Sequence, residues 1–153
     1  ECTIDLALVE GTPTEPHIIS KHWQNDLMSV VIPSNLKPAK NLKAWLNNQF
    51  WLLREPGSGT LEMSVKLLAE HGVQAEQSMQ LGSNEAIARA VAQGMGVALL
   101  PNVVTEDLVQ LGKLTRLSQK NNEQLSRPLY QLHYKDRPSS HAAQAFEKSL
   151  FSE

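Results

Sequence analysis

A glycine-rich turn, Arg-Glu-Pro-Gly-Ser-Gly-Thr at residues 54–60, constrains this chain more than any other segment. The apolar run at residues 50–53 predicts a short buried strand before the turn, and residues 61–70 have the apolar periodicity of a helix after it. The apolar side chains expected on one face of that helix are Leu61, Val65 and Leu68. The segment therefore predicts a strand, a turn and a helix in immediate succession.

The residues of this turn suit either an N-cap or a ligand site. Gly57 and Gly59 permit backbone conformations that a Cβ would forbid. Ser58 and Thr60 carry hydroxyl groups that can cap the helix or bind a ligand. A helix N-terminus also offers unpaired N–H groups and a partial positive charge, which favour a carboxylate, a sulfate or a phosphate. An ordinary capped helix and an anion-binding turn are both consistent with the sequence.

The same succession of strand, polar turn and helix occurs twice more. Residues 80–85, Gln-Leu-Gly-Ser-Asn-Glu, lead into a predicted helix at residues 86–93. Residues 97–100 predict a further buried strand, and Asn102 begins the next helix. Small hydroxyl and amide side chains at such positions hold a polar ligand without reacting with it. The candidates of this kind are Ser58, Thr60, Ser83, Asn84 and Asn102.

The first predicted strand supplies a further candidate. Residues 4–9 are nearly all apolar, which predicts a strand covered on both faces in a parallel sheet. Ligands of open α/β sheets bind beyond the carboxyl ends of the strands, so Glu10 and Thr12 are candidates for the rim of a pocket. An ordinary solvated turn explains the same residues equally well.

The remaining segments continue the alternation of strands and helices. The predicted elements are strands at residues 27–33 and 129–134, a short helix at 41–48, a polar loop at 118–126, and a last helix capped by Ser139 or Ser140. The apolar face of the last helix is expected to carry Ala142, Ala143, Phe146 and Leu150. This alternation predicts an α/β fold with a mainly parallel sheet.

The composition excludes several classes of protein. The length of 153 residues fits one domain or two small lobes. The net charge of −2 does not fit a nucleic-acid-binding surface. Cys2 is the only cysteine, so a disulfide framework or a zinc cluster cannot form within the chain, and we expect Cys2 to be buried. No apolar run approaches the roughly 20 residues of a membrane span, and no signal peptide is recognisable. The chain begins at Glu1 without an initiator methionine, so we expect it to be part of a longer protein.

The residues form no recognisable catalytic or metal-binding set. Gly57-Ser58-Gly59 lacks the spacing of a nucleophile elbow, and neither a phosphate loop nor a dinucleotide fingerprint occurs. The histidines are scattered, and nothing in the sequence pairs Glu55 with Glu85 as an acid and a base. We therefore expect no enzyme activity, no cofactor and no metal ion.

Several segments together resemble the effector-binding domain of LysR-type transcriptional regulators. They occur in the family's order and with its spacing from one end of the chain to the other. The matching segments are residues 5–11, 54–60, 81–87, 90–101, 112–114, 127–130 and 140–146. The resemblance implies an α/β fold like that of type II periplasmic binding proteins. In that fold crossover strands join two Rossmann-like lobes, and the effector lies in the cleft between them.

The resemblance also implies how the chain is divided. Residues 1–19 and 125–153 would form the first lobe, and residues 20–124 the second. The family's first lobe begins with two further strand-helix units, so the first lobe is expected to be incomplete here. The winged helix-turn-helix DNA-binding domain is absent as well, so contact with DNA is expected only through a segment outside these residues.

The resemblance assigns ligand positions and partners. The expected ligand-binding residues are Glu10, Ser58, Gly59, Thr60, Ser83, Asn84 and Asn102. The carboxylate of Glu10 would disfavour an anionic effector near it. The resulting hypothesis is a cytoplasmic sensor of a small polar or anionic effector, within a regulator that forms dimers or tetramers and does not contact a membrane. A solute-binding protein of the same fold is the alternative, and an enzyme on this fold is a weaker one.

Overall fold

The computed structural model describes residues 4–10, 15–117 and 125–151. Its elements in chain order are β1 (Ala7–Glu10), β2 (Ile18–Pro33), α1 (Leu42–Asn47), β3 (Trp51–Arg54), α2 (Gly59–Glu70), β4 (Ser78–Leu81), α3 (Asn84–Ala92), β5 (Ala98–Pro101), α4 (Asn102–Gln110), β6 (Leu114–Arg116), β7 (Leu125–Tyr134) and α5 (His141–Phe151). The predictions for Cys2, for Thr12 and for the polar loop up to residue 124 lie outside the described residues.

Contacts divide the chain into two compact units. Unit 1 consists of Glu1–Asp26 and Ser126–Glu153, and unit 2 consists of Leu27–Leu125. Strand β2 contributes its first half to unit 1 and its second half to unit 2.

The sheet of unit 2 brings three strand ends to one edge. β3 and β4 are parallel, with Trp51 opposite Ser78 and Arg54 opposite Leu81. Trp51 also forms a parallel bridge with Val97, immediately before β5. The carboxyl ends of β3, β4 and β5 therefore lie at the same edge, and a helix N-terminus follows each of them, that of α2, α3 or α4.

Close approach of two backbone segments explains the glycine before β5. Val97 N donates to Phe50 O at 2.9 Å, and Leu52 N donates to Val97 O at 2.9 Å. A Cβ on Gly96 would lie 2.3 Å from Phe50 O. Glycine at this position therefore allows β5 to approach β3 closely enough for these hydrogen bonds.

Apolar side chains and helices cover both faces of the unit 2 sheet. Successive residues of a strand point to opposite faces, and the residues of β3 and β5 accordingly alternate between two core clusters. One cluster contains Trp51, Val97 and Leu99 together with Leu46 of α1 and Leu67 of α2. The other contains Leu52, Ala98 and Leu100 together with Ile87 and Val91 of α3. Packing on both faces fixes the strand ends that carry the candidate site.

Strand direction differs from the sequence-based prediction. β1 is antiparallel to β7, and the second half of β2 is antiparallel to both β5 and β6. The prediction of a mainly parallel sheet is therefore wrong for these pairings, because an apolar run reports burial and carries no information on direction. The prediction that the first strand is covered on both faces is also wrong, since β1 alternates between half-buried and exposed residues.

Unit 1 holds its terminal helix against β2 by contacts near the helix C-terminus. Trp23 Nε1 donates to Leu150 O at 3.2 Å, and Lys21 Nζ lies 3.6 Å from the centroid of the Phe151 ring. At the other end of α5, Ser140 is the N-cap, because its Oγ accepts from Ala143 N at 3.2 Å. Of the residues predicted on the buried face, Ala143 is buried, whereas Ala142 and Phe146 are exposed.

The buried face of α2 agrees with its prediction at Leu68 and differs from it at Val65. Val65 is 55% exposed, and the buried residues of this helix are Thr60, Ser64, Leu67 and Leu68. Ser64 Oγ donates to Thr60 O at 2.8 Å, so the hydroxyl of Ser64 is hydrogen-bonded within the helix. Burial of small hydroxyl side chains cannot be read from apolar periodicity, which marks only apolar positions.

No helix within residues 4–10, 15–117 and 125–151 is both long enough and apolar enough to cross a membrane.

Candidate functional site

The glycine-rich turn forms the N-terminus of α2. Ser58 is the N-cap, with an extended backbone and with its Oγ accepting from Thr60 N at 3.2 Å. Gly57 has a φ of +88°, so this glycine provides the left-handed turn before the cap. Gly59 is the first residue of α2, and its expected need for an unusual backbone conformation is wrong because it is helical.

A hydrogen bond between side chains connects the starts of α2 and α3. Thr60 is only 2% exposed, and its Oγ1 accepts from Asn84 Nδ2 at 3.4 Å. Asn84 Oδ1 is also buried and has no hydrogen-bond partner among the described residues. The predicted ligand residues Thr60 and Asn84 are therefore neighbours, and Asn84 retains a buried oxygen that no described residue satisfies.

Ser83 is engaged in capping α3. Its Oγ accepts from Ala86 N at 3.2 Å and donates to Glu85 Oε2 at 2.8 Å. Hydrogen bonds from the backbone N–H of Glu85 and from the Ser83 hydroxyl lower the pKa of the Glu85 carboxyl. Because both functions of this hydroxyl are occupied, Ser83 contributes to the site by fixing the start of α3.

Asn102 begins α4 at the third strand end. Its backbone O accepts from Arg116 Nη2 at 2.8 Å and from Thr105 Oγ1 at 3.1 Å. Its side-chain Oδ1 is buried without a hydrogen-bond partner in the described part of the chain. Arg116 also contacts Glu106 at 2.8 Å, and the hydrogen bond from Arg116 lowers the pKa of the Glu106 carboxyl. No sequence pattern predicted a role for this arginine, which lies in β6, 14 residues from Asn102.

An ion pair lies at the end of β3, beside the turn. Arg54 Nε donates to Glu55 Oε2 and Arg54 Nη2 donates to Glu55 Oε1, both at 2.8 Å. These hydrogen bonds from Arg54 lower the pKa of the Glu55 carboxyl to about 2. Glu55 therefore stays ionised and paired near neutral pH, and it is not suited to act as a proton donor or acceptor.

Glu10 lies in unit 1 and forms an ion pair that was not foreseen. Its carboxylate contacts Arg127 Nη1, and Asp26 Oδ2 accepts from Arg127 Nε at 2.9 Å and from Nη2 at 2.8 Å. Arg127 is thus placed between two carboxylates contributed by β1 and β2. The partners of Arg127 are 101 residues or more away in sequence, so no local pattern could name them.

The structure therefore brings together most of the predicted ligand residues of unit 2. Ser58, Gly59, Thr60 and Asn84 surround the starts of two helices, and Asn102 begins a third helix at the same sheet edge. This edge combines helix N-termini with two buried amide oxygens, an arrangement suited to hydrogen bonding of a polar ligand. Within residues 4–10, 15–117 and 125–151, no group of three His, Cys, Asp or Glu side chains could hold a metal ion.

Comparison with protein families decides what kind of domain this is. The LysR substrate binding domain matches residues 1–152. The chain belongs to the LysR substrate binding domain family. Its resemblance to LysR-type effector-binding domains is thereby confirmed.

Similar proteins of known type are transcriptional regulators. The HTH-type transcriptional regulator YeiE of Escherichia coli K12, itself described as uncharacterized, is 34% identical over 146 residues, which cover 94% of this chain and 49% of YeiE. The HTH-type transcriptional regulator CbbR of Rhodospirillum rubrum is 33% identical over 117 residues, covering 76% of this chain and 39% of CbbR. The chain thus spans about half or less of the length of these relatives. Their description as HTH-type regulators favours the regulator hypothesis over the solute-binding alternative.

Solved structures share the fold. The CcmR regulatory domain of Synechocystis PCC6803, in complex with 2-PG, matches with a TM-score of 0.76 at 27% identity, covering 97% of this chain and 72% of that one. The effector binding domain of QuiR in complex with shikimate also matches with a TM-score of 0.76, at 19% identity, covering 95% of this chain and 69% of that one. The fold is that of LysR regulatory domains, and the predicted type II periplasmic-binding-protein-like class is confirmed.

Proposed function

We propose that the sheet edge where β3, β4 and β5 end is the effector site, and that a small polar or anionic metabolite binds there. The observation that carries this proposal is the hydrogen bond of 3.4 Å from Asn84 Nδ2 to Thr60 Oγ1, because Asn84 Oδ1 is then buried with no hydrogen-bond partner among the described residues. A buried acceptor without a partner costs about 1–3 kcal/mol. A hydroxyl or N–H group of a bound ligand would remove that cost.

The N-termini of the helices favour an anionic group on the ligand. The first N–H groups of an α-helix lack partners within the helix and carry a partial positive charge. Three helices, α2, α3 and α4, begin at this one edge. The negative charge of Glu55 is balanced by Arg54 in a paired arrangement, so it does not dominate the field at the turn. An anionic group at the helix starts, joined to a hydroxyl or amine donor near Asn84 and Asn102, fits this arrangement.

The relatives support a sensing role without naming the effector. The CcmR regulatory domain, at 27% identity, holds 2-PG, which is consistent with a small-molecule site in this family. We propose that this chain serves the same general purpose in a longer regulator. Unit 1 and unit 2 would be the two lobes, a segment outside this chain would contact DNA, and the regulator would self-associate. It would act in the cytoplasm and catalyse no reaction.

The test is calorimetric titration of the protein with two probes, 2-PG and inorganic phosphate. Ser58→Ala removes a hydroxyl from the turn. We expect the binding free energy of the probe to weaken by about 1 kcal/mol, which is a roughly fivefold loss of affinity. The matched control is Ser140→Ala, which removes the N-cap serine of α5 in unit 1. Both variants lose a helix cap, which costs about 1 kcal/mol of stability. Ser140→Ala also loses the hydrogen bond of 2.9 Å from Ser140 Oγ to Asp5 Oδ2 within unit 1, so it is the more disruptive control, and a loss of affinity confined to Ser58→Ala indicates a ligand contact.

The outcomes separate the roles of Ser58. Weaker binding by Ser58→Ala with unchanged binding by Ser140→Ala supports the site. Equal affinities for the two variants and the unaltered protein would show that Ser58 only caps α2. If the unaltered protein bound neither probe, the anionic effector class would be wrong.

A further inference from the structure

A buried arginine in unit 1 contacts two carboxylates, although one would neutralise its charge. The side chain of Arg127 is 7% exposed and contacts two carboxylates, those of Asp26 and Glu10. Among the described residues, the guanidinium of Arg127 and the two carboxylates sum to a net charge of −1. Asp26 alone neutralises Arg127, so the second carboxylate is surplus to charge balance.

The two carboxylates differ in how firmly they are held. Asp26 receives two hydrogen bonds, from Nε at 2.9 Å and from Nη2 at 2.8 Å, and its side chain is 11% exposed. Glu10 contacts the remaining nitrogen, Nη1, and its side chain is 38% exposed. Asp26 is therefore the fixed partner, whereas Glu10 covers the side of the guanidinium that is nearer to solvent.

The strand register places a further unpaired polar group on the same sheet face. Glu10 is opposite Leu129 in the β1–β7 pairing, and alternate residues of β7 share a face, so Arg127, Leu129 and Gln131 lie on the face of Glu10. Gln131 is 1% exposed, and its Oε1 has no hydrogen-bond partner among the residues the structure describes. Buried polar atoms normally have partners, so this face is more polar than a packed sheet face requires.

We infer that Arg127 is an anion-binding group of unit 1 and that Glu10 is its built-in competitor. The ligand class is an oxyanion, either a carboxylate or a phosphate or sulfate group. Such a group would replace the Glu10 carboxylate at Nη1 and would make the same charge-assisted hydrogen bond. Because Glu10 is tethered beside the guanidinium, its effective concentration is high and it weakens binding of any free anion.

This role makes Glu10 a residue that determines specificity. With Glu10 ionised, a second anion entering unit 1 meets a cluster that is already negative, and like charges disfavour it. This anion site lies within unit 1 and does not depend on the proposed effector site of unit 2. The binding itself depends on three side chains of unit 1 alone.

The test uses sodium sulfate as the probe, titrated at constant ionic strength maintained with sodium chloride. Binding is followed through the Nε–Hε resonance of Arg127 by NMR. Glu10→Gln keeps the shape of the side chain and removes its charge. We expect Glu10→Gln to bind sulfate about tenfold more tightly than the unaltered protein, which corresponds to about 1.4 kcal/mol. The Arg127 resonance should shift in the course of this titration.

Two further variants locate the anion. Glu10→Gln with Arg127→Lys retains a positive charge but loses the guanidinium, and its sulfate affinity should return to that of the unaltered protein. Glu10→Gln with Thr60→Val alters the candidate site of unit 2 and should keep the full gain. Failure of the proposed effector site would leave this gain intact, so the two ideas are tested separately.

Three results would contradict the role inferred for Arg127 and Glu10. If Glu10→Gln binds sulfate no more tightly than the unaltered protein, Glu10 does not compete for the guanidinium. If sulfate leaves the Arg127 resonance of Glu10→Gln unmoved, or if Thr60→Val removes the gain, the anion binds elsewhere. Any of these results would overturn the inference, and none of them requires the Arg127→Lys variant to fold.

Discussion

Substitution of the two glycines of the turn should have opposite effects on stability. Gly57 has a φ of +88°, and a Cβ placed there would meet no heavy atom within 4 Å. The cost of Gly57→Ala therefore comes from backbone conformation alone, which is about 1–2 kcal/mol for an L-residue in the left-handed region. Gly59 is the first residue of α2, where alanine is a better helix former than glycine by up to about 1 kcal/mol.

These free energies translate into measurable melting temperatures. For a chain of this length, 1 kcal/mol corresponds to about 2–4 °C. Gly57→Ala should therefore melt about 2–8 °C below the unaltered protein, and Gly59→Ala should melt at the same temperature or slightly higher. Thermal unfolding followed by circular dichroism, with urea unfolding as a second measure, compares the two variants directly. If Gly57→Ala is as stable as the unaltered protein, or if Gly59→Ala loses as much, the described turn geometry is wrong.

Two further predictions concern the neighbouring sheet and the turn's ion pair. Gly96→Ala should be more destabilising than Gly57→Ala in urea unfolding, because its Cβ would lie 2.3 Å from Phe50 O. Gly82→Ala is the control and should have little effect, since a Cβ at that position meets no heavy atom beyond its chain neighbours within 4 Å among the described residues. Equal costs for Gly96→Ala and Gly82→Ala would contradict the close approach of the two backbone segments. NMR titration of Glu55 should give a pKa of about 2 in place of the ordinary 4.5, and Arg54→Met should return it towards 4.5. Because the pKa is lowered in the folded protein, any stabilisation from this pair is present above pH 4.5 and is lost as the pH falls towards 2. A Glu55 midpoint that Arg54→Met leaves unchanged would rule out Arg54 as the cause.

Local features of the fold were predictable because they depend on neighbouring residues. Ser58 was expected to cap the helix or to bind a ligand, and its side chain accepts the backbone hydrogen bond of a cap. The buried strand before Asn102 was likewise predicted from four consecutive apolar residues. Apolar runs, caps and turn glycines act over a few residues, so the sequence contains the whole cause.

Features that depend on distant residues were not predictable. Arg127 pairs with Glu10 and Asp26 only because β1, β2 and β7 come together, and no local pattern states that arrangement. Glu10 was expected to repel an anion, but its charge is shared with a guanidinium that the sequence did not place nearby. Strand direction was missed for the same reason, since it depends on the path of the chain and not on the residues within a strand.

The candidate site was predictable in outline and not in detail. The sequence indicated which residues open the helices, but Ser83 proved to be occupied by Glu85 and Ala86 in its own cap. The contact between Asn84 and Thr60 spans 24 residues and depends on the parallel pairing of β3 with β4. That contact leaves the unpaired oxygen on which the proposed function rests.

The most direct test of the central claim is a backbone amide NMR titration with 2-PG and, separately, with inorganic phosphate. We expect the probe that binds to cause its largest chemical-shift changes at the amides of Gly59, Thr60, Asn84 and Asn102, where the three helices begin. The amides of α5 in unit 1 should shift least. Shifts concentrated in α5, or spread evenly along the chain with none larger at the helix starts, would contradict the assignment of this sheet edge as the effector site.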